Sequence, residues 1–150
     1  MTLQEFNEIL DFAIDREKEA VQFYRDLQNE AHFADQKAFL SELECMEKGH
    51  IVMVESLRQK LPTEMQIKQV PNLLISEYLI SDVDHLNLTY QNILIKAMKR
   101  EEMSLKLYTE MSRKFPDSAL STVFAKLASE EAGHKYKFEK LYDEWISKGN

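Results

Sequence analysis

Two tetrapeptides, Glu47-Lys48-Gly49-His50 and Glu131-Ala132-Gly133-His134, constrain this chain more than any other feature. Both read E-x-G-H, and they stand 84 residues apart. On a helix, a Glu and a His three positions apart share a face, so each tetrapeptide offers one carboxylate and one imidazole to the same point. A further Glu precedes each by 30 residues, Glu17 before Glu47 and Glu101 before Glu131. Six potential metal ligands therefore fall into two matched sets of three, and any fold for this chain has to house both.

The repeat extends beyond the ligands. Laying residues 3–57 over 87–141 without a gap gives twelve identities, among them Ile9/Ile93, Leu10/Leu94, Ala13/Ala97, Arg16/Arg100, Tyr24/Tyr108, Leu43/Leu127 and every candidate ligand pair. What the halves share is concentrated on polar residues set within apolar stripes. With 18 Glu among 150 residues, chance would produce the doubled pattern with a probability on the order of 10⁻³. A lone E-x-x-H would be weak evidence; the doubled set with its two partners is strong.

The rest of the chain reads as helix. Three Gly and three Pro are few breakers for this length, and the abundant Glu, Lys, Leu, Met and Ala favour long helices over a sheet. The class is all-α, and the length fits one domain with a real core. Thr2-Leu3-Gln4-Glu5 forms a capping box, and Phe6, Ile9, Leu10, Ala13, Ala20, Val21, Tyr24 and Leu27 mark a first helix to about Glu30. Glu17 falls on its apolar face. After a turn at Ala31 to Asp35, Phe39, Leu40, Leu43, Ile51, Val54 and Leu57 mark a second helix to about Lys60, with Glu47 and His50 inward. A connection that short makes the two helices antiparallel neighbours.

Residues 61–86 hold Pro62 and Pro71 and an apolar group around Val70, Leu73 and Tyr78. About two dozen residues suit a crossover running the length of a bundle, with room for one short helical piece. Asp82, Asp84 and His85 read as a cap for the next helix. The third helix runs from about Leu88 to Lys114 with Glu101 breaking its stripe; Phe115-Pro116-Asp117-Ser118 is a stop, turn and N-cap; the fourth runs from about Ala119 to Lys148 around Glu131 and His134. Two helical hairpins, about 1–60 and 87–148, would bring the six groups together midway along the bundle.

Four carboxylates converging in an apolar core cannot all stay ionised and unpaired, because each buried charge costs several kcal/mol and like charges repel. Two divalent cations would cancel them. Oxygen donors plus imidazole suit iron, manganese or zinc, whereas a structural zinc site would use thiolates. Each metal would take one His and one terminal Glu, with two further Glu bridging. Tyr24 and Tyr108 lie two turns after Glu17 and Glu101 on the same faces, where a phenol can donate a hydrogen bond to a ligand carboxylate and orient it; the alternative is an ordinary core Tyr. Gly49 and Gly133, each costing a helix roughly 1 kcal/mol relative to Ala, are expected to admit a neighbouring helix or the imidazole. Glu130 has Met46 as its counterpart, and is either a partner of the ligands or a solvated charge. Cys45 is expected to pack inertly, His32 to sit at the surface, and Arg16 and Arg100 to form surface ion pairs.

These residues resemble the ferritin-like di-iron carboxylate superfamily, and within it the rubrerythrin-like branch. One carboxylate on helices 1 and 3, E-x-x-H on helices 2 and 4 and a long crossover cover almost the whole chain. The resemblance implies a ferritin-like antiparallel four-helix bundle. It implies two iron ions held by Glu17, Glu47, His50, Glu101, Glu131 and His134, and oxidation of the diferrous centre by hydrogen peroxide or dioxygen. Rubrerythrins usually carry a rubredoxin domain with four Cys, whereas Cys45 is alone here, so a separate electron-donor protein is expected. They also carry a Glu one turn after the helix 3 ligand, where this chain has Ser104; the metal movement linked to that Glu does not carry over. The six-ligand set is similar to that of bacterioferritins. The competing reading is a metal-binding or iron-storage protein with little turnover.

The net charge of −7 argues against nucleic acid as the main partner, since phosphate binding needs a basic stripe. No leader and no apolar run of roughly 18 residues is found, so the expected location is cytoplasmic with no membrane contact. A homodimer is the expected assembly.

Overall fold

The computed structural model describes residues 1–60, 62, 64–73, 75–79 and 89–149, with only the backbone of residues 64 and 65. Every described element is helical: α1 (Leu3–Leu27), α2 (Lys37–Ser56), the short α3 (Glu64–Lys68), α4 (Tyr90–Lys114) and α5 (Ala119–Ser147). α1 packs chiefly on α2 and α4 on α5, and contacts of α1 with α4 and of α2 with α5 join the two hairpins. This is the all-α bundle that the periodicity predicts, consistent with the ferritin-like arrangement that the resemblance implies.

Local chemistry fixes the helix ends. The Thr2 hydroxyl accepts from the Glu5 amide at 3.1 Å while Glu5 returns the bond to the Thr2 amide at 3.0 Å, closing the capping box. Such a cap contributes about 1 kcal/mol. Ser118 caps α5 through the Ser121 amide at 3.2 Å, and the turn before it is completed by Asp117 at φ 56°, a left-handed conformation that Asp tolerates better than most residues. Thr89 caps α4 through the Asn92 amide; Asp82, Asp84 and His85 lie outside the described residues.

α1 stops at Leu27, about a turn before the predicted Glu30, because the chain enters a 3₁₀ segment, Ala31–Gln36. That segment carries Phe33, which is fully buried and stacks on Tyr90 with ring centroids 4.9 Å apart. The connection is thus an apolar plug at one end of the bundle. In the crossover, α3 and a second helical piece, Ile75–Tyr78, take the place of the single piece expected, and residues 61, 63, 74 and 80–86 lie outside the described residues.

The core is split in two. One cluster gathers Phe6, Leu10, Val54, Leu57, Met111 and Phe124 at the end where α1 begins, and the crossover residues Ile67, Val70, Leu73 and Tyr78 close over it. The other gathers Leu27, Phe33, Leu40, Leu94 and Phe138 at the opposite end. Between them, at mid-height on all four long helices, lie the buried Glu17, Glu47, His50, Glu101, Glu131 and His134.

Candidate metal centre

The spacing within each helix puts these six side chains on the inner face, and antiparallel pairing brings them to one level. All six are at most 4% exposed. They form two overlapping groups. Glu17, Glu47, His50 and Glu131 place one ligand atom each within 4.8 Å of the others, and so do Glu47, Glu101, Glu131 and His134. Glu47 and Glu131 belong to both groups, Glu17 and His50 to one, Glu101 and His134 to the other. The imidazole planes lie 16° from parallel with centroids 6.2 Å apart.

Both rings turn Nδ1 toward the carboxylates. His50 Nδ1 is 2.8 Å from Glu131 Oε1, 3.3 Å from Glu47 Oε2 and 3.6 Å from Glu17 Oε1; His134 Nδ1 is 3.1 Å from Glu47 Oε1 and 3.5 Å from Glu101 Oε2. Despite these separations, both Nδ1 atoms, both oxygens of Glu47, Glu17 Oε2, Glu101 Oε2 and Glu131 Oε1 have no aligned hydrogen-bond partner among the described residues. Buried polar atoms are normally paired. Seven that converge without pairing are aimed at a common space rather than at one another, which is what ligands to a pair of ions require. The residues present therefore fit two divalent metals, by their donor chemistry and by their unpaired atoms.

Electrostatics report the same strain. Burial pushes the Glu17 carboxyl well above its ordinary range, and neighbouring Glu47 adds to it. Burial does the same to Glu131, reinforced by the charges of Glu101 and Glu47. Glu47 goes the other way: burial opposes its ionisation, but closeness to Glu17, His134 and His50 outweighs burial and holds it well below the carboxylate range. Burial also works against charge on the rings, yet contact with Glu17 and Glu47 pushes His50 up to about 11, and contact with Glu101 and Glu47 pushes His134 up to about 9. Without cations, then, protons do the neutralising.

The two phenols cross between hairpins. The Tyr24 hydroxyl on α1 donates to Glu101 Oε1 on α4, and the Tyr108 hydroxyl on α4 donates to Glu17 Oε1 on α1 at 2.6 Å. Burial raises both phenols well above their ordinary value, with the charges of Glu101 beside Tyr24 and Glu17 beside Tyr108 next in weight. They stay protonated and remain donors. Tyr24 stacks on Phe138 at 5.8 Å and Tyr108 on Phe124 at 6.2 Å, so each is set by one of the apolar clusters.

Of the other residues, some stand where expected and some do not. Gly49 and Gly133 are exposed, and a Cβ at either would meet nothing within 4 Å, so they make room for neither a helix nor an imidazole. Cys45 is exposed rather than packed, as its position about 200° around the helix from Glu47 requires. His32 is exposed as expected. Arg16 and Arg100 both reach Glu19 Oε2, at 3.0 and 3.4 Å. Glu130 is a partner of the site: its Oε2 lies 2.7 Å from His50 Nε2. Sequence left that open because Glu130 lies beside Glu131, off the inward stripe, and its partner is on the other hairpin; the mismatch with Met46 was the one visible signal.

An all-α bundle whose waist carries two E-x-x-H pairs and two further carboxylates matches the arrangement of the ferritin-like di-iron carboxylate class that the sequence resembles. Within it, residues 92–148, which span most of α4 and all of α5, match the family model of rubrerythrin. No curated protein and no solved structure matches the chain. Among the described residues no helix is long and apolar enough to cross a membrane.

Proposed function

We propose that the protein is a rubrerythrin-like di-iron oxidoreductase that uses a diferrous centre to reduce hydrogen peroxide or dioxygen. The observation that carries this reading is the pair of overlapping four-residue groups sharing Glu47 and Glu131. In it, Glu47 and Glu131, common to both groups, would help to hold both irons, with Glu17 and His50 holding one and Glu101 and His134 the other. Four protein groups for each ion, two of them shared, would suit a reactive rather than a purely structural site. Bound ferrous iron would supply the electrons for reducing the oxidant.

The chain's own groups do the rest. Tyr24 and Tyr108 hold the terminal carboxylates in place from opposite sides. The carboxyls of Glu17 and Glu131 and the rings of His50 and His134 give up protons as cations enter. The apolar clusters above and below keep bulk water from the waist. Recovery of the reduced state needs an outside donor, since the one Cys of this sequence cannot build a four-thiolate iron site; a separate electron-transfer protein is the partner proposed.

Anaerobic loading with ferrous iron followed by peroxide tests the reading. Two irons per chain and a near-ultraviolet charge-transfer band on peroxide addition are expected. A flat spectrum with two irons bound would overturn the oxidoreductase reading. A particle enlarged by a mineral core after aerobic loading would instead establish iron storage.

A further inference from the structure

His50 and His134 occupy matching positions in the repeat, yet their outer nitrogens differ. His50 Nε2 is paired with Glu130 Oε2 at 2.7 Å. His134 Nε2 is buried and has no hydrogen-bond partner among the described residues. The origin lies in the sequence. Glu130 directly precedes Glu131 on α5, and the residue directly preceding Glu47 on α2 is Met46. A thioether carries no charge and is a weak acceptor.

We propose that the two metal positions are unequal by construction: the one formed by Glu17, Glu47, His50 and Glu131 fills first and holds its ion tightly, while the one containing Glu101 and His134 is exchangeable. This rests on the two-metal reading above, and it makes Glu130 a positioning residue that acts through His50. Because Nδ1 of His50 faces the carboxylates and Nε2 faces Glu130, the carboxylate fixes the tautomer with the proton on Nε2. Nε2 then keeps its proton when an ion takes Nδ1, the nitrogen that already faces the metal position. A carboxylate behind a ligating imidazole also makes the ring a better donor, and loss of such a partner typically costs 10–100-fold in metal affinity. Glu130 also sets a carboxylate directly behind the His50 ring. Among the described residues the ring of His134 has no such partner to select its tautomer, so an ion arriving there must also set the ring.

The test uses metal-free full-length protein titrated anaerobically with cobalt(II), followed by calorimetry and by cobalt's ligand-field absorption. Anomalous diffraction from crystals grown at one equivalent locates the first ion. Mutual repulsion of two cations separates the binding steps in any case, so the deciding observations are which position fills first and which step each variant moves. Expected are a first ion beside His50, a first step weakened about 10–100-fold in Glu130→Ala, and a second step strengthened in Met46→Glu. Circular dichroism checks that both variants fold; should Glu130→Ala not fold, Met46→Glu and the position of the first ion decide alone. A first ion beside His134, an ion split equally between positions, or a Met46→Glu protein with an unmoved second step would overturn the proposal. Failure to take up two ions at any concentration would overturn the two-metal reading itself, a result distinct from two ions bound without preference.

Discussion

Tyr108 on α4 donates a 2.6 Å hydrogen bond to Glu17 on α1, 91 positions away in the chain, and the link joins the two hairpins at the level of the cage. Tyr24 makes the reciprocal link to Glu101. Neither phenol serves the carboxylate of its own helix. Each steadies the terminal carboxylate of the opposite half.

Tyr108→Phe is therefore expected to weaken the metal position of Glu17 and His50, and Tyr24→Phe that of Glu101 and His134. A loss of about 10-fold or more at one position in each case is the expected size. In metal-free protein the change also strands a buried carboxylate oxygen, lowering stability by about 1–3 kcal/mol in urea titrations. Equal weakening of both positions by either substitution would contradict the crossed arrangement.

Shared and unshared ligands separate in metal content. Glu47→Ala removes a group common to both clusters, whereas Glu17→Ala removes one belonging to a single cluster. Elemental analysis after equilibration and desalting is expected to find metal largely lost from the first protein and about half retained by the second.

The cage costs stability when no ions fill it. Glu131 is 2% exposed among Glu47 and Glu101, and its carboxyl is forced well above its usual range. Glu131→Gln keeps the shape and removes the need for the carboxyl to take up a proton on folding, so metal-free Glu131→Gln protein is expected to be more stable than the parent at neutral pH by about 1–4 kcal/mol. The same substitution should abolish tight binding of two ions, which melting curves with and without metal would reveal as a reversed ranking.

The stability of metal-free protein should fall as pH rises. A His near 6.5 when unfolded and raised when folded stabilises fully below that value, and the stabilisation is lost as pH climbs through about 9 for His134 and then about 11 for His50. Glu17 and Glu131 act in the same sense, because their folded carboxyls hold protons that the unfolded chain releases. Glu47 opposes them, because its folded carboxyl is held below its ordinary range. Urea midpoints are thus expected to be higher at pH 6 than at pH 9. Metal affinity should run the other way, rising with pH as bound protons are displaced.

Phe138→Ala and Phe124→Ala test the supports of the phenols. Both rings are at most 1% exposed and stack on Tyr24 and Tyr108 respectively. A loss of about 3–5 kcal/mol is expected for each, together with reduced metal affinity that Phe→Leu largely restores.

The inward placement of the six polar side chains was legible in sequence because it violates the local pattern: Glu17 and Glu101 interrupt apolar stripes, and a buried charge in such a stripe needs a partner. Helix caps at Thr2 and Ser118 were legible for a similar reason, since their chemistry is confined to four residues. The crossing of the tyrosines was not, because periodicity assigns a face and leaves open which opposing helix the face meets. Glu130 escaped for the same reason. Gly49 and Gly133 misled because their conspicuous place in the motif invites a role in packing, while the structure turns both outward. Phe33 was hidden in a segment whose length reads as an ordinary turn.

The division of the core into two apolar clusters has a consequence for how events at the waist are felt elsewhere. Each cluster sends one phenol inward, Tyr108 from one end and Tyr24 from the other, and each phenol holds a carboxylate on the opposite hairpin. The cage is in this sense a coupling joint between two separately packed ends. Ions seated in it would act on both phenols together, so loading the centre is expected to tie the two ends into one cooperative body, and hydrogen exchange at Leu94 and at Leu127, on either side of the belt, should slow in step.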